Sequence, residues 1–282
     1  MDYSKVKPSI RNRILLNNGT FIPQLGLGVY LLGANSRSVE IMKVAVKHGY
    51  RHIDTAAFYG NEAEVGEAIR ESGIARSELY VTTKLWNNDH GYDATIRAFE
   101  KSMKLMGLDY IDLYLIHWPV RGVRRESWRA LEMLYEEGQC KAIGVSNYMV
   151  HHLEELLEQC KVVPTVNQIE MHPFIYRYRH EVINLCLENS ICVECYSPLT
   201  KGVRLHDHDL VTTAENYGKS TAQILIRWGL QKGFITIPKS ENLIRIAENA
   251  DVFDFEIEDT DMEKLDQLNE NYSCTWDPTD EP

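Results

Sequence analysis

Short, almost continuously apolar runs alternate along the chain with segments in which apolar residues recur every three or four positions. Runs of the first kind are typical of β-strands buried on both faces, and segments of the second kind are typical of helices that bury one face. The predicted strands are the eight runs 21–28, 51–56, 79–86, 111–118, 141–147, 165–170, 192–198 and 234–240. The clearest predicted helices cover 39–47, 94–106 and 128–137.

Eight repeats of a buried strand followed by a helix predict an α/β fold of the closed (β/α)8 type, the TIM barrel. Asn17-Asn18-Gly19 lies between the apolar segments 13–16 and 21–22 and predicts a β-hairpin, which we expect to plug the N-terminal bottom of the barrel. No linker or repeat divides the chain, so we expect one domain over residues 1–282. An open doubly wound sheet is disfavoured because Leu31 replaces the third glycine of its dinucleotide-binding motif.

Charge and composition restrict the classes of partner. The chain has 30 Lys and Arg against 41 Asp and Glu, a net charge of −11, which disfavours nucleic acid as a partner. An anionic ligand therefore needs a local basic pocket. No apolar run approaches the ~18 residues of a membrane span, and residues 1–8 lack the pattern of a signal peptide. We expect a cytoplasmic monomer without membrane contact, whose six cysteines stay reduced.

Polar residues follow the predicted strands at the ends where a (β/α)8 barrel builds its active site. Each alone has a structural explanation as a helix cap, a core ring or a hydrogen-bonded imidazole, but burying the whole set without a function would be costly. The set contains Asp54, Tyr59, Lys84, His117, Ser146, Asn147, Gln168, Glu170, Tyr196, Ser197, Lys239 and Ser240.

Four of these residues, Asp54, Tyr59, Lys84 and His117, can act together in donating a proton to a substrate. We expect the ammonium of Lys84 to lower the pKa of the Tyr59 phenol and the carboxylate of Asp54 to keep Lys84 charged. His117 can orient a substrate oxygen. Such an acid is suited to a developing alkoxide, and the partner reaction is then hydride delivery by a reduced cofactor. An alternative enzyme class is a Schiff-base lyase with Lys84 as the nucleophile.

Five motifs closely resemble the signatures of the aldo-keto reductase family, in the family's order and over residues 13–269. They are 49–62 (GYRHIDTAAFYGNE), 83–86 (TKLW), 113–119 (LYLIHWP), 143–147 (IGVSN) and 237–240 (IPKS). The resemblance implies that the chain reduces aldehydes and ketones with NADPH. It assigns the catalytic tetrad to Asp54, Tyr59, Lys84 and His117, with Tyr59 as the general acid.

The same resemblance implies a set of cofactor contacts. The nicotinamide carboxamide would be held by Ser146, Asn147 and Gln168, the nicotinamide ring by Tyr196, and the pyrophosphate by Ser197 and Leu199. Lys239, Ser240 and Arg245 would hold the adenosine 2′-phosphate, and Glu248 and Asn249 would contact adenine. Cations beside a phosphate favour NADPH over NADH, because NADH would leave them unpaired. No metal is expected, since His206-Asp207-His208 has no third ligand nearby in the sequence.

Two departures from the family pattern concern the substrate. Val29-Tyr30 stands where many members have threonine and tryptophan, and the loops after His117 and Tyr196 are short. These short loops resemble those of prostaglandin F synthase, 2,5-diketo-D-gluconate reductase and glyoxal reductase. The resemblance implies an enzyme that reduces many small carbonyl compounds, including dicarbonyls such as methylglyoxal, keto sugars and prostaglandins. The predicted pocket wall contains Tyr30, Trp86, His117, Trp118 and Trp276.

Two further questions stay open at this stage. Arg121, Arg124 and Arg125 could attract anionic substrates to the pocket mouth or could form a solvated helix start. The alternative to catalysis is a nicotinamide-binding sensor or a structural protein on the same barrel, as the family also includes members resembling channel subunits and lens proteins.

Overall fold

The computed structural model describes residues 9–282, so the predicted absence of a signal at residues 1–8 lies outside the described part. Eight parallel strands follow one another around a barrel, with each strand hydrogen-bonded to its neighbour in the sequence. A separate two-stranded antiparallel sheet precedes them. The hairpin strands are β1 (Arg13–Leu15) and β2 (Phe21–Pro23), and the barrel strands are β3 (Leu27–Gly28), β4 (His52–Asp54), β5 (Tyr80–Leu85), β6 (Ile111–Ile116), β7 (Cys140–Ser146), β8 (Val166–Glu170), β9 (Cys192–Tyr196) and β10 (Ile235–Thr236).

Helices fill the connections and cover the outside of the barrel, where their apolar faces pack against the strands. Their first turns are fixed by local chemistry. Asn35 accepts a hydrogen bond from Ser38 N at the start of the helix Ser36–Lys47, and Ser220 and Gln223 form a capping box at the start of the helix Thr221–Gln231. The helices are α1 (Ser36–Lys47), α2 (Glu62–Glu71), α3 (Tyr92–Met106), α4 (Arg124–Glu136), α5 (Val150–Leu157), α6 (His180–Glu188), α7 (His208–Tyr217), α8 (Thr221–Gln231), α9 (Leu243–Ala250) and α10 (Asp259–Gln267).

The barrel closes where its first and last strands meet. Gly26 N donates to Thr236 O at 3.0 Å, and Thr236 N donates to Gln24 O at 2.9 Å. Gly26 is required here because a Cβ at this position would lie 2.6 Å from Nδ1 of His52. The closed parallel barrel confirms the predicted fold class and rules out the open sheet.

The hairpin plugs the N-terminal end of the barrel, as predicted. Leu16 and Ile22 are buried there against a small apolar cluster that includes Leu113, Val166 and Ile235 from three barrel strands. Asn17 Nδ2 also donates to Pro164 O at 3.0 Å, which ties the turn to the barrel rim. With its bottom sealed, the barrel is left open only toward the carboxyl ends of its strands.

The predicted strands and helices are found in their predicted order, with differences at their ends. Run 21–28 serves two sheets, because Phe21–Pro23 pairs within the hairpin and Leu27–Gly28 pairs within the barrel. Within run 234–240 the strand covers only Ile235–Thr236, and Pro238, two residues further on, has no backbone N–H to donate. No helix in residues 9–282 combines the length and apolar character that a membrane span requires.

Candidate active site

A cavity of about 880 Å³ opens at the carboxyl ends of the barrel strands. It is lined by every residue that the sequence analysis placed in a catalytic, cofactor or substrate site except Lys84, which lies beneath its floor. These residues are Tyr30, Asp54, Tyr59, Trp86, His117, Trp118, Ser146, Asn147, Gln168, Tyr196, Ser197, Leu199, Lys239, Ser240, Arg245, Glu248, Asn249 and Trp276.

Lys84 lies beneath the floor of the cavity and hydrogen-bonds to three oxygen atoms there. Its side chain is fully buried, and Nζ donates to Asp54 Oδ1 at 2.7 Å and to the Thr55 carbonyl at 2.8 Å. The third partner is the Tyr59 oxygen at 3.4 Å. Because Tyr59 accepts from Lys84, its own O–H is left to donate into the cavity. An amine enclosed by three oxygens and removed from the cavity wall is badly placed for attack on a substrate, which argues against the Schiff-base alternative.

The pKa of Tyr59 differs from the expectation. Burial raises the pKa of this phenol well above its usual value, and the negative charge of Asp54 raises it further. Lys84 does not reverse this effect, because its charge is shared with Asp54 at the shorter distance. Tyr59 is therefore a protonated phenol at neutral pH in the cofactor-free site, which is the form that a proton donor needs.

His117 stands beside the phenol as a neutral imidazole. Its ring centroid lies 5.7 Å from that of Tyr59, with the two planes at 77°. Burial lowers the pKa of His117 well below its usual value, and the nearby charge of Lys84 lowers it further. Nδ1 has no hydrogen-bond partner among the described residues. A neutral imidazole next to the acid can hydrogen-bond a substrate oxygen without adding charge.

The amide of Gln168 is fixed in one orientation. Nε2 donates to Asp54 Oδ2 at 2.8 Å and to Glu194 Oε2 at 2.7 Å, so both of its hydrogens are used. The carbonyl oxygen of this amide has no donor among the described residues and belongs to a side chain that lines the cavity. An oriented acceptor of this kind suits the amide N–H of a nicotinamide carboxamide.

The remaining residues of this end form a hydrogen-bonded layer. Tyr196 OH donates to Asn147 Oδ1 at 2.8 Å, and Asn147 Nδ2 donates to the His117 carbonyl at 3.0 Å. Ser146 Oγ donates to the Gln168 carbonyl at 2.8 Å. Asn147 has φ of 63°, a left-handed conformation that asparagine tolerates better than most residues. The layer holds the flat ring of Tyr196 at the cavity wall.

The opposite end of the cavity contains the cationic side chains of Lys239 and Arg245 together with the acidic side chains of Glu241 and Glu248. Arg245, near the start of α9, is exposed and makes no side-chain ion pair or hydrogen bond within residues 9–282. Lys239 is paired with Glu241 at 2.7 Å. Two cations at the amino end of a helix suit a phosphate dianion, so the donor set fits the phosphate of NADPH.

Aromatic rings form the wall above the Tyr59 hydroxyl. Tyr30 lies 4.9 Å from Tyr59 between ring centroids, and Phe58 stacks on Trp86 at 3.8 Å. The ring centroids of Trp118 and Trp276 lie 4.7 Å apart, and both rings line the cavity. Phe58 was not predicted, although its place beside Tyr59 in the sequence could have indicated it.

Residues 273–279 of the C-terminal tail are bound tightly across this end of the barrel. Glu170 accepts hydrogen bonds from Ser273 Oγ at 2.7 Å, from Cys274 N at 2.6 Å and from both donors of Thr275. Arg179 forms an ion pair with Asp277 at 2.8 Å. The tail is therefore fixed beside the cavity. The sequence analysis named Trp276 of this tail, but not the contacts of Glu170 and Arg179 that hold the tail in place.

The arginines after β6 do not form a basic mouth. None of Arg121, Arg124 and Arg125 lines the cavity. Arg124 is buried, forms an ion pair with Glu155, and donates to the carbonyls of Pro119 and Pro282. Its role is to tie α4 to α5 and to the end of the chain, which rules out an attraction of substrate through Arg124.

Comparison with known proteins gives one consistent result. The model of the aldo/keto reductase family matches residues 24–270. Glyoxal reductase of Bacillus subtilis (strain 168) is 49% identical over 263 residues, which cover 93% of this chain and 95% of that protein. The 9,11-endoperoxide prostaglandin H2 reductase of Trypanosoma cruzi (strain CL Brener) is 46% identical over 270 residues, which cover 95% of each protein.

A solved structure with a bound cofactor is also similar to this chain. The crystal structure of a variant of Gox0644 in complex with NADPH superimposes with a TM-score of 0.90. The two proteins are 40% identical, and the match covers 96% of this chain and 99% of that one.

Proposed function

The chain belongs to the aldo-keto reductase family and is an NADPH-dependent oxidoreductase acting on carbonyl groups, and we propose that Tyr59 is the residue that protonates the carbonyl oxygen. The observation that carries this proposal is the position of the phenol. Tyr59 is the acid on the cavity floor, and its oxygen accepts from Lys84, which is itself bound to Asp54.

The catalytic work of the protein is proton donation and orientation. When bound, NADPH supplies the hydride for the carbonyl carbon. Tyr59 gives its proton to the oxygen as negative charge develops there, and the Lys84 ammonium stabilises the phenolate that remains. Asp54 keeps Lys84 charged and in place. His117, as a neutral imidazole, hydrogen-bonds the substrate oxygen and directs it toward the phenol.

The cavity supports one arrangement of the cofactor. Gln168 would accept from the carboxamide at the nicotinamide end, beside Ser146 and Asn147, and Tyr196 would stack on the ring. Arg245, Lys239 and Ser240 would hold the 2′-phosphate. Between the ends, Ser197 and Leu199 border the space for the pyrophosphate, and Glu248 and Asn249 border the space for adenine.

The substrates are small carbonyl compounds of several kinds. The wall of Tyr30, Trp86 and Trp118 offers apolar surface with few polar groups, so it selects weakly among aldehydes and ketones. Methylglyoxal and other dicarbonyls and keto sugars are the carbonyl classes to test. A prostaglandin endoperoxide, which is reduced at its O–O bond, is tested beside them as a substrate of a different kind. The relatives that reduce glyoxal and prostaglandin H2 support two of them. The enzyme acts as a cytoplasmic monomer formed by one domain over residues 1–282.

The test compares Tyr59→Phe with the parent protein. Turnover of methylglyoxal, a nitrobenzaldehyde, a keto sugar and a prostaglandin endoperoxide should fall by about 10²- to 10⁴-fold, while NADPH still quenches the tryptophan fluorescence at the parental Kd. Tyr178→Phe, an exposed tyrosine outside the cavity, serves as the matched control. Near-parental turnover by Tyr59→Phe would show that Tyr59 is not the residue that protonates the carbonyl oxygen. A parent protein that binds NADPH but reduces nothing would favour the sensor or structural alternative.

A further inference from the structure

A second carboxyl group lies directly beneath the catalytic residues. Glu194 on β9 and Asp54 on β4 point into the barrel from opposite sides, and Gln168 Nε2 bridges them at 2.7 Å and 2.8 Å. Glu194 has no exposed surface, and both Asp54 and Gln168 are 2% exposed. The two buried carboxyl groups therefore share one donor group.

The buried site holds more acidic groups than cations. Lys84 is the one ammonium that faces the pair among the described residues, and it contacts Asp54 only. His52 Nε2 lies 3.7 Å from Glu194 Oε1, but burial and the charge of Lys84 lower the pKa of this imidazole to about 3, so it is neutral. The other titratable groups that face Glu194 are neutral at pH 7 because burial raises the pKa of each; they are Tyr59, Tyr80, Cys192 and Cys195.

Two ionised carboxylates would leave this space with a net negative charge that nothing compensates, which is strongly unfavourable in a buried environment. We propose that Asp54 and Glu194 hold one shared proton, that it resides on Glu194, and that Glu194 is thereby a positioning residue whose ionisation sets the alkaline limit of carbonyl reduction. The inference deepens the proposed function and rests on Tyr59 as the proton donor.

The hydrogen bonds place the proton on Glu194. Asp54 receives a charge-assisted hydrogen bond from Lys84, which stabilises its ionised form, whereas Glu194 has no cation within contact distance. Glu194 Oε2 accepts from Gln168, and Glu194 Oε1 has no hydrogen-bond partner among the described residues. Burial and the charge of Asp54 raise the pKa of Glu194 to about 8.

Loss of this proton affects catalysis through charge. Above the pKa of Glu194, the proton passes to bulk solvent and a second negative charge appears below Asp54. That charge raises the pKa of Tyr59 further, because an ionised Glu194 acts on the phenol in this direction, so Tyr59 gives up its proton less readily to the substrate. The rate of reduction should therefore decline as the pH rises through about 8.

The test measures kcat of reduction against pH for the parent and for Glu194→Gln, at saturating NADPH and methylglyoxal. The parental profile should decline with a midpoint near pH 8 and be roughly tenfold lower one pH unit above it. In Glu194→Gln, which cannot ionise, this decline should move upward by at least about one pH unit. The matched control is Glu62→Gln, a buried carboxyl on α2 that hydrogen-bonds Thr83 and has a raised pKa but lies outside the barrel interior. It should leave the profile where the parent has it.

An infrared measurement tests the proton itself. With the carboxyl carbon of glutamate labelled with ¹³C, a protonated Glu194 gives a carboxylic-acid C=O band in the parent at pH 7 that shifts with the label and vanishes with a midpoint near pH 8. The band should persist in Glu62→Gln and be absent from Glu194→Gln. This readout needs only the parent and the control if Glu194→Gln fails to fold.

Two results would overturn the inference: an unchanged alkaline decline in a folded Glu194→Gln, or the absence of the band from the parent and Glu62→Gln at pH 7. Failure of the proposed function is a different outcome. If Tyr59→Phe retained turnover, Tyr59 would lose its role, while the infrared band would still report whether Glu194 carries the proton.

Discussion

Trp276 packs against Trp118 with ring centroids 4.7 Å apart, so a residue near the end of the chain covers a residue that follows barrel strand β6. Thr275, its neighbour, lies 3.2 Å from the Tyr196 hydroxyl between the two side-chain oxygens. The C-terminal tail thus contacts both the substrate end of the cavity and the ring proposed to stack on nicotinamide. Changes in the tail should separate these two roles.

Replacing Trp276 should weaken substrate binding more than cofactor binding. Trp276 is 53% exposed and contributes one face of the aromatic wall, so Trp276→Ala removes apolar contact from the substrate alone. KM for a nitrobenzaldehyde should rise by roughly 5- to 20-fold, the size expected for losing part of an aromatic contact of about 1–2 kcal/mol. The Kd for NADPH should stay within about twofold of the parent.

Methylglyoxal is the control substrate for this experiment, because it is too small to contact the whole aromatic wall. Its KM should change less than that of the nitrobenzaldehyde. An equal rise for both substrates would show that Trp276 acts on the site as a whole and not as a contact surface for larger carbonyls.

Replacing Arg245 should change the choice of cofactor. The guanidinium lines the cavity and has no ion-pair partner within residues 9–282, so it is free to bind a phosphate. Arg245→Ala should raise the Kd for NADPH by roughly 10- to 100-fold, since a charge-assisted hydrogen bond contributes about 1.5–3 kcal/mol. The Kd for NADH should change by less than about threefold.

Fluorescence titration with both cofactors measures this difference, and Arg177→Ala is a control outside the cavity. Equal losses for NADPH and NADH would exclude a role for Arg245 at the 2′-phosphate.

The barrel and most of its site could be predicted because both depend on local pattern. Strands buried on both faces are almost continuously apolar, so Asp54 and His117 stand out as polar residues at the ends of such runs. Lys84 is a comparable signal within β5. Because the carboxyl ends of all barrel strands meet on one face, these residues come together without any further information.

Other parts depend on contacts that the sequence pattern does not contain. Glu194 lies in the middle of a short strand, and only the closed barrel shows that it faces Asp54 through Gln168. The same holds for the tail, where Glu170 binds residues about a hundred positions away. The expected lowering of the pKa of Tyr59 was wrong because burial, which the sequence cannot measure, outweighs the charge of Lys84.

Glu170 should control the attachment of the tail through its charge. Burial alone would raise the pKa of this carboxyl, but hydrogen bonds from His172, Cys274 and Thr275 outweigh burial and hold its pKa below the usual value. A carboxyl with a depressed pKa in the folded protein contributes stability above its unfolded pKa of about 4.5, and this contribution is lost as the pH falls toward the folded value. The attachment is therefore strong at neutral pH and weakens only in acid.

Glu170→Gln should release the tail at pH 7, because the neutral amide keeps the size of the side chain but loses the charge that Ser273, Cys274 and Thr275 donate to. Hydrogen exchange of the amides of Cys274 and Thr275 should become at least about tenfold faster, as expected for the loss of roughly 1.4 kcal/mol or more from hydrogen bonds to a charged group. KM for the nitrobenzaldehyde should rise as in Trp276→Ala, since Trp276 would no longer be held against Trp118.

Glu155→Gln, which breaks the ion pair of Arg124, is the control that tests whether loosening any contact of the outer helices has the same effect. Fast exchange in Glu155→Gln and parental exchange in Glu170→Gln would together assign the attachment of the tail to Arg124 instead of Glu170.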